Sequence, residues 1–151
     1  MPHYQGNKLR KGRFSETGRA YFITTVTNER KAVFDDRLLA RLLVAELRQA
    51  TETGFVESLA WVIMPDHLHW LFILRKGTLD SVINCVKSRS AISINSHIGT
   101  NGRFWQKGFH DRAIRRDEDI RSVARYIVAN PLRAGITDDI GTYPLWDATW
   151  L

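Results

Sequence analysis

Apolar positions along the chain change period several times, and each change marks an element. Ala20 to Thr27 (AYFITTVT) is rich in aromatic and β-branched residues and predicts a strand. Leu38, Leu39, Leu42, Leu43 and Leu47 then recur at helical spacing behind Asp35 and Asp36, either of which can cap. That helix is expected to run to about Thr53 and to stop at Gly54. Phe55 to Met64 alternates like a strand, with Phe55, Glu57, Leu59, Trp61 and Ile63 expected on one side. Met64-Pro65-Asp66 is a turn signal, and His67 to Leu74 resumes as a second strand, which so short a connection makes antiparallel.

Leu79, Val82, Ile83, Val86 and Ile94 predict a helix over Gly77 to His97, followed by a loop at Gly99 to Gly102. Phe104 to Ile114 mixes aromatic and charged residues and is expected to hold a short strand near His110 to Arg115. Asp117 or Asp119 caps a last helix reaching about Asn130, where Pro131 ends it. The tail, GTYPLWDATWL, reads as aromatic and irregular, and residues 1–18 as a basic arm or edge segment. No repeat or linker interrupts residues 1–151, so one domain is expected. The order strand, helix, strand, strand, helix, strand, helix implies an α+β sandwich of the ferredoxin-like kind, an antiparallel sheet with helices packed on it.

Composition narrows the function. With 44% hydrophobic and 25% charged residues the chain can bury a core. Lys and Arg outnumber Asp and Glu by 22 to 16, a net charge of +6, which favours a polyanionic partner and above all nucleic acid. Cys85 is the sole cysteine, which excludes an internal disulfide or a cysteine-rich zinc module and suits a reducing cytoplasm. The basic start, MPHYQGNKLRKGRF, has no apolar run behind it, so a secretory signal is not expected. The apolar runs fall well short of the ~20 residues of a membrane helix.

Two polar features stand where a bland core would not put them. His67-Leu68-His69 opens a strand, and alternation places both imidazoles on one face, the spacing at which two rings can chelate one metal ion. Two histidines at a strand end can also simply bond to neighbours. Tyr126 and Asn130 lie one turn apart on the last helix, about 40° around its axis, bordering a stripe of Ile120, Val123, Ala124, Ile127 and Val128. A tyrosine there can be a half-buried core residue with a wet hydroxyl, and Asn before Pro can be a plain helix end.

Together the motifs have a known counterpart. MPDHLHWLFIL resembles the HUH motif (His, hydrophobe, His) of the single-tyrosine transposases, and ARYIVANPLRAG resembles their catalytic helix. GRAYFITTVT and FWQKGFHDRAIR resemble the flanking segments, so the similarity spans roughly residues 13–146. Enzymes of insertion sequences typically carry Gln as third ligand; Asn130-Pro131 looks more like the REP-associated branch.

The resemblance implies that His67, His69 and Asn130 hold one divalent ion, Mg²⁺ or Mn²⁺, and that Tyr126 is the nucleophile of a reaction that cuts and rejoins single-stranded DNA through a 5′-phosphotyrosine. It implies hairpin-bearing DNA as partner, at REP elements or insertion-sequence ends, handled by a monomer or a homodimer.

For holding phosphates the chain offers Arg112, Arg115, Arg116, Arg121, Arg125 and Arg133 around the last helix, with Lys87, Arg89, Arg103 and Lys107 nearby. Those arginines could equally form a salt-bridged surface beside Asp117, Glu118 and Asp119. Phe104, Trp105 and Phe109 could stack bases, although core packing suits them better. His110 could assist the site, and Asp66 reads as a turn residue after Pro65. Tyr143, Trp146 and Trp150 could cover the sheet or restrict access. Two other classes compete: a non-catalytic single-strand-binding module on the same fold, and a hydrolase that uses water in place of Tyr126.

Overall fold

The computed structural model describes residues 15–115 and 117–148; most of the basic arm, Arg116 and the terminal Trp150 lie outside the described residues. Along the chain run β1 (Ala20–Val26), α1 (Arg37–Glu52), β2 (Val56–Met64), β3 (His67–Leu74), α2 (Leu79–Ile98), β4 (His110–Ile114), α3 (Asp117–Val128), α4 (Asn130–Arg133) and β5 (Trp146–Ala148). The strands form one sheet in the order β4-β1-β3-β2-β5, every neighbouring pair antiparallel. This is the expected α+β architecture, with β3 at the centre.

Both faces of the sheet are covered, which explains why β3 is apolar on both sides beyond its histidines. On one face Ile23, Trp70, Phe72 and Leu74 meet Leu39, Leu43 and Leu47 of α1 and Val82, Ile83 and Ile94 of α2. On the other, Val62, Met64, Leu71 and Ile114 meet Val123, Ala124, Ile127 and Val128 of α3. Full burial of each such side chain contributes roughly 1.5–3 kcal/mol. Helix starts follow the predicted chemistry: Asp36 accepts from the Leu38 and Leu39 amides at 2.9 and 3.5 Å, and Thr78 and Ser81 form a capping box.

Four features differ from expectation. First, β2 slips register between Ser58 and Ala60. Leu59 is the extra residue of a bulge and turns to the α3 face, so Glu57 and Leu59 do not share the face of Trp61 and Ile63.

Second, the tail is not irregular. Trp146–Ala148 pairs with Ala60–Val62, the Tyr143 hydroxyl donates to the Ile63 carbonyl at 2.7 Å, and Trp146 donates to the Ile140 carbonyl at 2.9 Å. These aromatics cover the β2 edge.

Third, Pro131 does not end helical structure. It sits in the first turn of α4, where a missing N–H costs least, and the chain bends through Ala129 into it. Fourth, α3 already begins at Asp117, so Asp117 and Asp119 belong to its first turn.

Candidate active site

The site is assembled from the start of β3 and the end of α3. Pro65 and Asp66 form the tight connection between paired Met64 and His67, which starts β3 on a histidine. Alternation then sends His67 and His69 to the α3 face, their ring centroids 4.7 Å apart and both rings half-buried. Tyr126 lies across from them, its ring centroid 6.2 Å from that of His69. Phe22 fills the wedge between, 5.3 Å from His69 and 6.2 Å from Tyr126. The phenol remains reachable, since Tyr126 is 47% exposed beside an otherwise buried stripe.

The helix break arranges the other side of Tyr126. Pro131 has no N–H for the Ile127 carbonyl, and the side-chain amide of Asn130 donates instead to the carbonyls of Tyr126, at 3.0 Å, and Ile127, at 3.5 Å. Arg133 donates to the same Tyr126 carbonyl at 2.8 Å and lays its guanidinium 4.0 Å from the Tyr126 ring centroid. The nucleophile candidate is thus fixed by main-chain bonds and by a stacked cation. With its NH₂ engaged, Asn130 has its amide oxygen to offer a ligand.

Each imidazole is anchored through Nδ1. Asp66 Oδ1 lies 2.7 Å from Nδ1 of His67, and a carboxylate acceptor keeps the proton there, freeing Nε2. Thr24 Oγ1 lies 2.8 Å from Nδ1 of His69, which leaves Nε2 of that ring too. Burial, with the charges of His67 and Arg133, pushes His69 down to about 3, so its imidazole is neutral at physiological pH. Burial works to raise the Asp66 carboxyl, but hydrogen bonds from His67 and Arg30 and their charges hold it below the usual carboxylate range.

Imidazole nitrogens and an amide oxygen are donors of a kind that suits a divalent cation. Among the described residues no group of three His, Cys, Asp or Glu side chains is placed to hold a metal ion.

The basic residues divide. Arg103, Lys107, Arg112, Arg115 and Arg125 are exposed, and Arg112 leans over Phe22 at 5.8 Å, at the rim of the site. Arg116 lies outside the described residues. Lys87 contradicts the expectation of a phosphate contact. It is buried and donates to the carbonyls of Gln106 and Gly108 at 2.8 and 2.6 Å, tying down the loop before β4. Arg89 is committed to Glu46 at 2.7 Å. Phe104, Trp105 and Phe109 are buried in the core, not presented to bases. His110 pairs with Thr24, which pairs with His69, so the three share one row of the sheet.

Sequence reasoning missed Asp66 and Thr24 as the anchors of the two imidazoles and Phe22 as the spacer. A carboxylate directly before the first histidine was the available signal for Asp66.

Residues 16–130, from just before β1 to Asn130, match the family described as transposase, IS200-like. The chain belongs to that family. It is similar to the REP-associated tyrosine transposase of Escherichia coli K12, 25% identical over 132 residues, which cover 87% of this chain and 78% of the relative. A Haemophilus influenzae relative is 25% identical over 138 residues, 84% of this chain and 78% of its own. Among solved structures, a REP-associated tyrosine transposase bound to a REP hairpin superposes with a TM-score of 0.75 at 23% identity, over 97% of this chain and 82% of that one. That likeness supports the fold. No helix among the described residues is long and apolar enough to cross a membrane.

The depressed His69 value has a consequence for stability. Between pH ~6.5 and about 3 the unfolded chain binds a proton that the folded, metal-free protein refuses, so stability falls as pH drops through that window. The slope is about 1.4 kcal/mol per pH unit for one proton. Urea unfolding of the chelated protein at pH 7, 6, 5 and 4 measures it. An equal slope in His69→Gln would refute the assignment to His69.

Proposed function

We propose that this IS200-like transposase cleaves and rejoins single-stranded DNA beside a hairpin of the REP kind, with Tyr126 as nucleophile. The observation that carries the proposal is the placement of an exposed tyrosine ring 6.2 Å from the inner of two paired, Nδ1-anchored histidines. His67, His69 and Asn130 would hold Mg²⁺ or Mn²⁺ through two imidazole nitrogens and one amide oxygen. When bound, such an ion supplies Lewis-acid polarisation of the scissile phosphate's non-bridging oxygens.

Tyr126 gives up its phenolic proton as Oη attacks phosphorus, the P–O3′ bond breaks, and the departing 3′-oxygen takes up a proton as a 5′-phosphotyrosine forms. The phosphodiester energy is retained in that linkage, so a 3′-hydroxyl can reverse the step without ATP. Asn130 and Arg133, beyond the helix break, both bond to the Tyr126 carbonyl, and these ties keep the attack geometry reproducible. Arg133, stacked on the ring, limits its rotation. The exposed Arg103, Lys107, Arg112, Arg115 and Arg125 hold the backbone around the site. The hairpin as partner follows the E. coli relative's name and the solved relative with its REP hairpin.

The test is covalent trapping. Purified protein is incubated with hairpin-bearing single strands from the flanks of its own gene, with Mn²⁺ or Mg²⁺, and denatured. A metal-dependent protein–DNA adduct is expected. Tight binding with neither adduct nor cleavage would favour the non-catalytic binding module.

A further inference from the structure

The two imidazoles are anchored by unlike partners, and one anchor reaches well beyond the site. Asp66 Oδ1 holds Nδ1 of His67 at 2.7 Å, while Oδ2 receives Nη1 of Arg30 at 3.0 Å. Arg30 comes from the segment after β1, far from the turn in sequence. That segment is unusual: Glu29 and Arg30 are consecutive non-glycine residues at positive φ, 59° and 52°. Left-handed backbone at two such residues persists only where the surroundings over-determine it, and such strain gathers at functional sites.

The surroundings here are specific. Thr27, fully buried, donates its N–H to the Asp66 carbonyl at 2.9 Å and its hydroxyl to the Lys31 and Asp66 carbonyls at 2.8 and 3.2 Å. The Asn28 amide donates to the Phe104 carbonyl at 2.8 Å. The strained turn is therefore bolted to the same Asp66 that its arginine contacts. A surface ion pair formed by chance would need no such fastening.

We infer that Asp66 and Arg30 are positioning residues for metal binding: Arg30 orients the Asp66 carboxylate, and Asp66 fixes the tautomer and raises the donor strength of His67. A carboxylate behind a histidine ligand does both. His69, backed by the uncharged Thr24 hydroxyl, lacks that reinforcement, so His67 is the stronger donor of the pair. The inference rests on the reading of His67 and His69 as ligands.

The experiment titrates Mn²⁺ into the DNA-free protein and follows the free-ion signal by electron paramagnetic resonance, with melting temperature recorded alongside. Wild type should show one site that His67→Ala removes; absence of that site overturns both the ligand reading and this inference. With the site present, Asp66→Asn should weaken it roughly 10- to 100-fold in a protein that the melting curve shows still folded at the titration temperature. Affinity within twofold of wild type would overturn the inference and leave the ligand reading standing. Should Asp66→Asn unfold, Arg30→Ala decides, because its side chain is 63% exposed. It should weaken Mn²⁺ about two- to fivefold, the size an exposed ion pair carries. No change there overturns the inference.

Discussion

Tyr126→Phe should abolish the covalent protein–DNA adduct expected of the proposed mechanism, while leaving hairpin binding and stability near wild type. The substitution is close to surgical. The contacts with Phe22 and His69 are made by the ring, the Arg133 cation stacks on the ring, and Asn130 and Arg133 bond to the Tyr126 carbonyl. Phenylalanine keeps all of these and loses only Oη. At a half-exposed position the stability change should stay within about 0.5 kcal/mol. Removing a nucleophile outright costs on the order of 10⁴-fold or more in rate. Cleavage in the variant at a rate within tenfold of wild type would mean that water, not Tyr126, attacks, and the chain would be a hydrolase on a transposase fold.

Lys87→Ala should destabilise the protein by about 2–4 kcal/mol without specifically weakening DNA binding. The ammonium makes two short bonds to main-chain carbonyls, and a hydrogen bond to a charged group contributes about 1.5–3 kcal/mol. Truncation removes the donor, leaves the Gln106 and Gly108 carbonyls without it, and opens space under the loop. At this chain length the melting temperature should fall by roughly 6–12 °C. Arg112→Ala and Arg115→Ala, on the exposed rim, should do the opposite: weaker DNA binding at an unchanged melting temperature. A Lys87→Ala protein that melts like wild type yet binds DNA poorly would return this lysine to the DNA-binding surface.

That lysine also marks the limit of what the sequence could say. Counted along α2, Ile83, Lys87, Ser90 and Ile94 stand at helical spacing on the buried face. The stripe was legible, but a cation in it is read as surface unless carbonyls of a distant loop are known to await it. The β2–β3 turn and the His67/His69 face were legible because alternation and a Pro-Asp turn are local rules. The β5 strand was not, since three residues have no period to read and exist as a strand only because β2 offers an edge. The Leu59 bulge was hidden for a related reason: from Leu59 to Met64 β2 is apolar on both faces, so a slip in alternation there puts no polar residue out of place. Tyr126 and Asn130 were found through their motif. The role of Pro131, which turns their carbonyls and amide towards each other, emerges only from the bent backbone.

The two halves of the site are built to different standards of permanence. His67 and His69 lie on β3, the middle strand of five, hydrogen-bonded on both sides. Tyr126 lies within a turn of a helix break and is held by the half-buried Asn130 and the exposed Arg133. Amide hydrogen exchange should therefore keep two clocks. The β3 amides wait for global unfolding, and those from Ala129 to Gly135 open by local fraying. In the proposed reaction, strand entry, covalent linkage and release would each require something to yield. In that reaction the histidine strand would serve as the anvil, and what yields would be the short segment after the tyrosine helix.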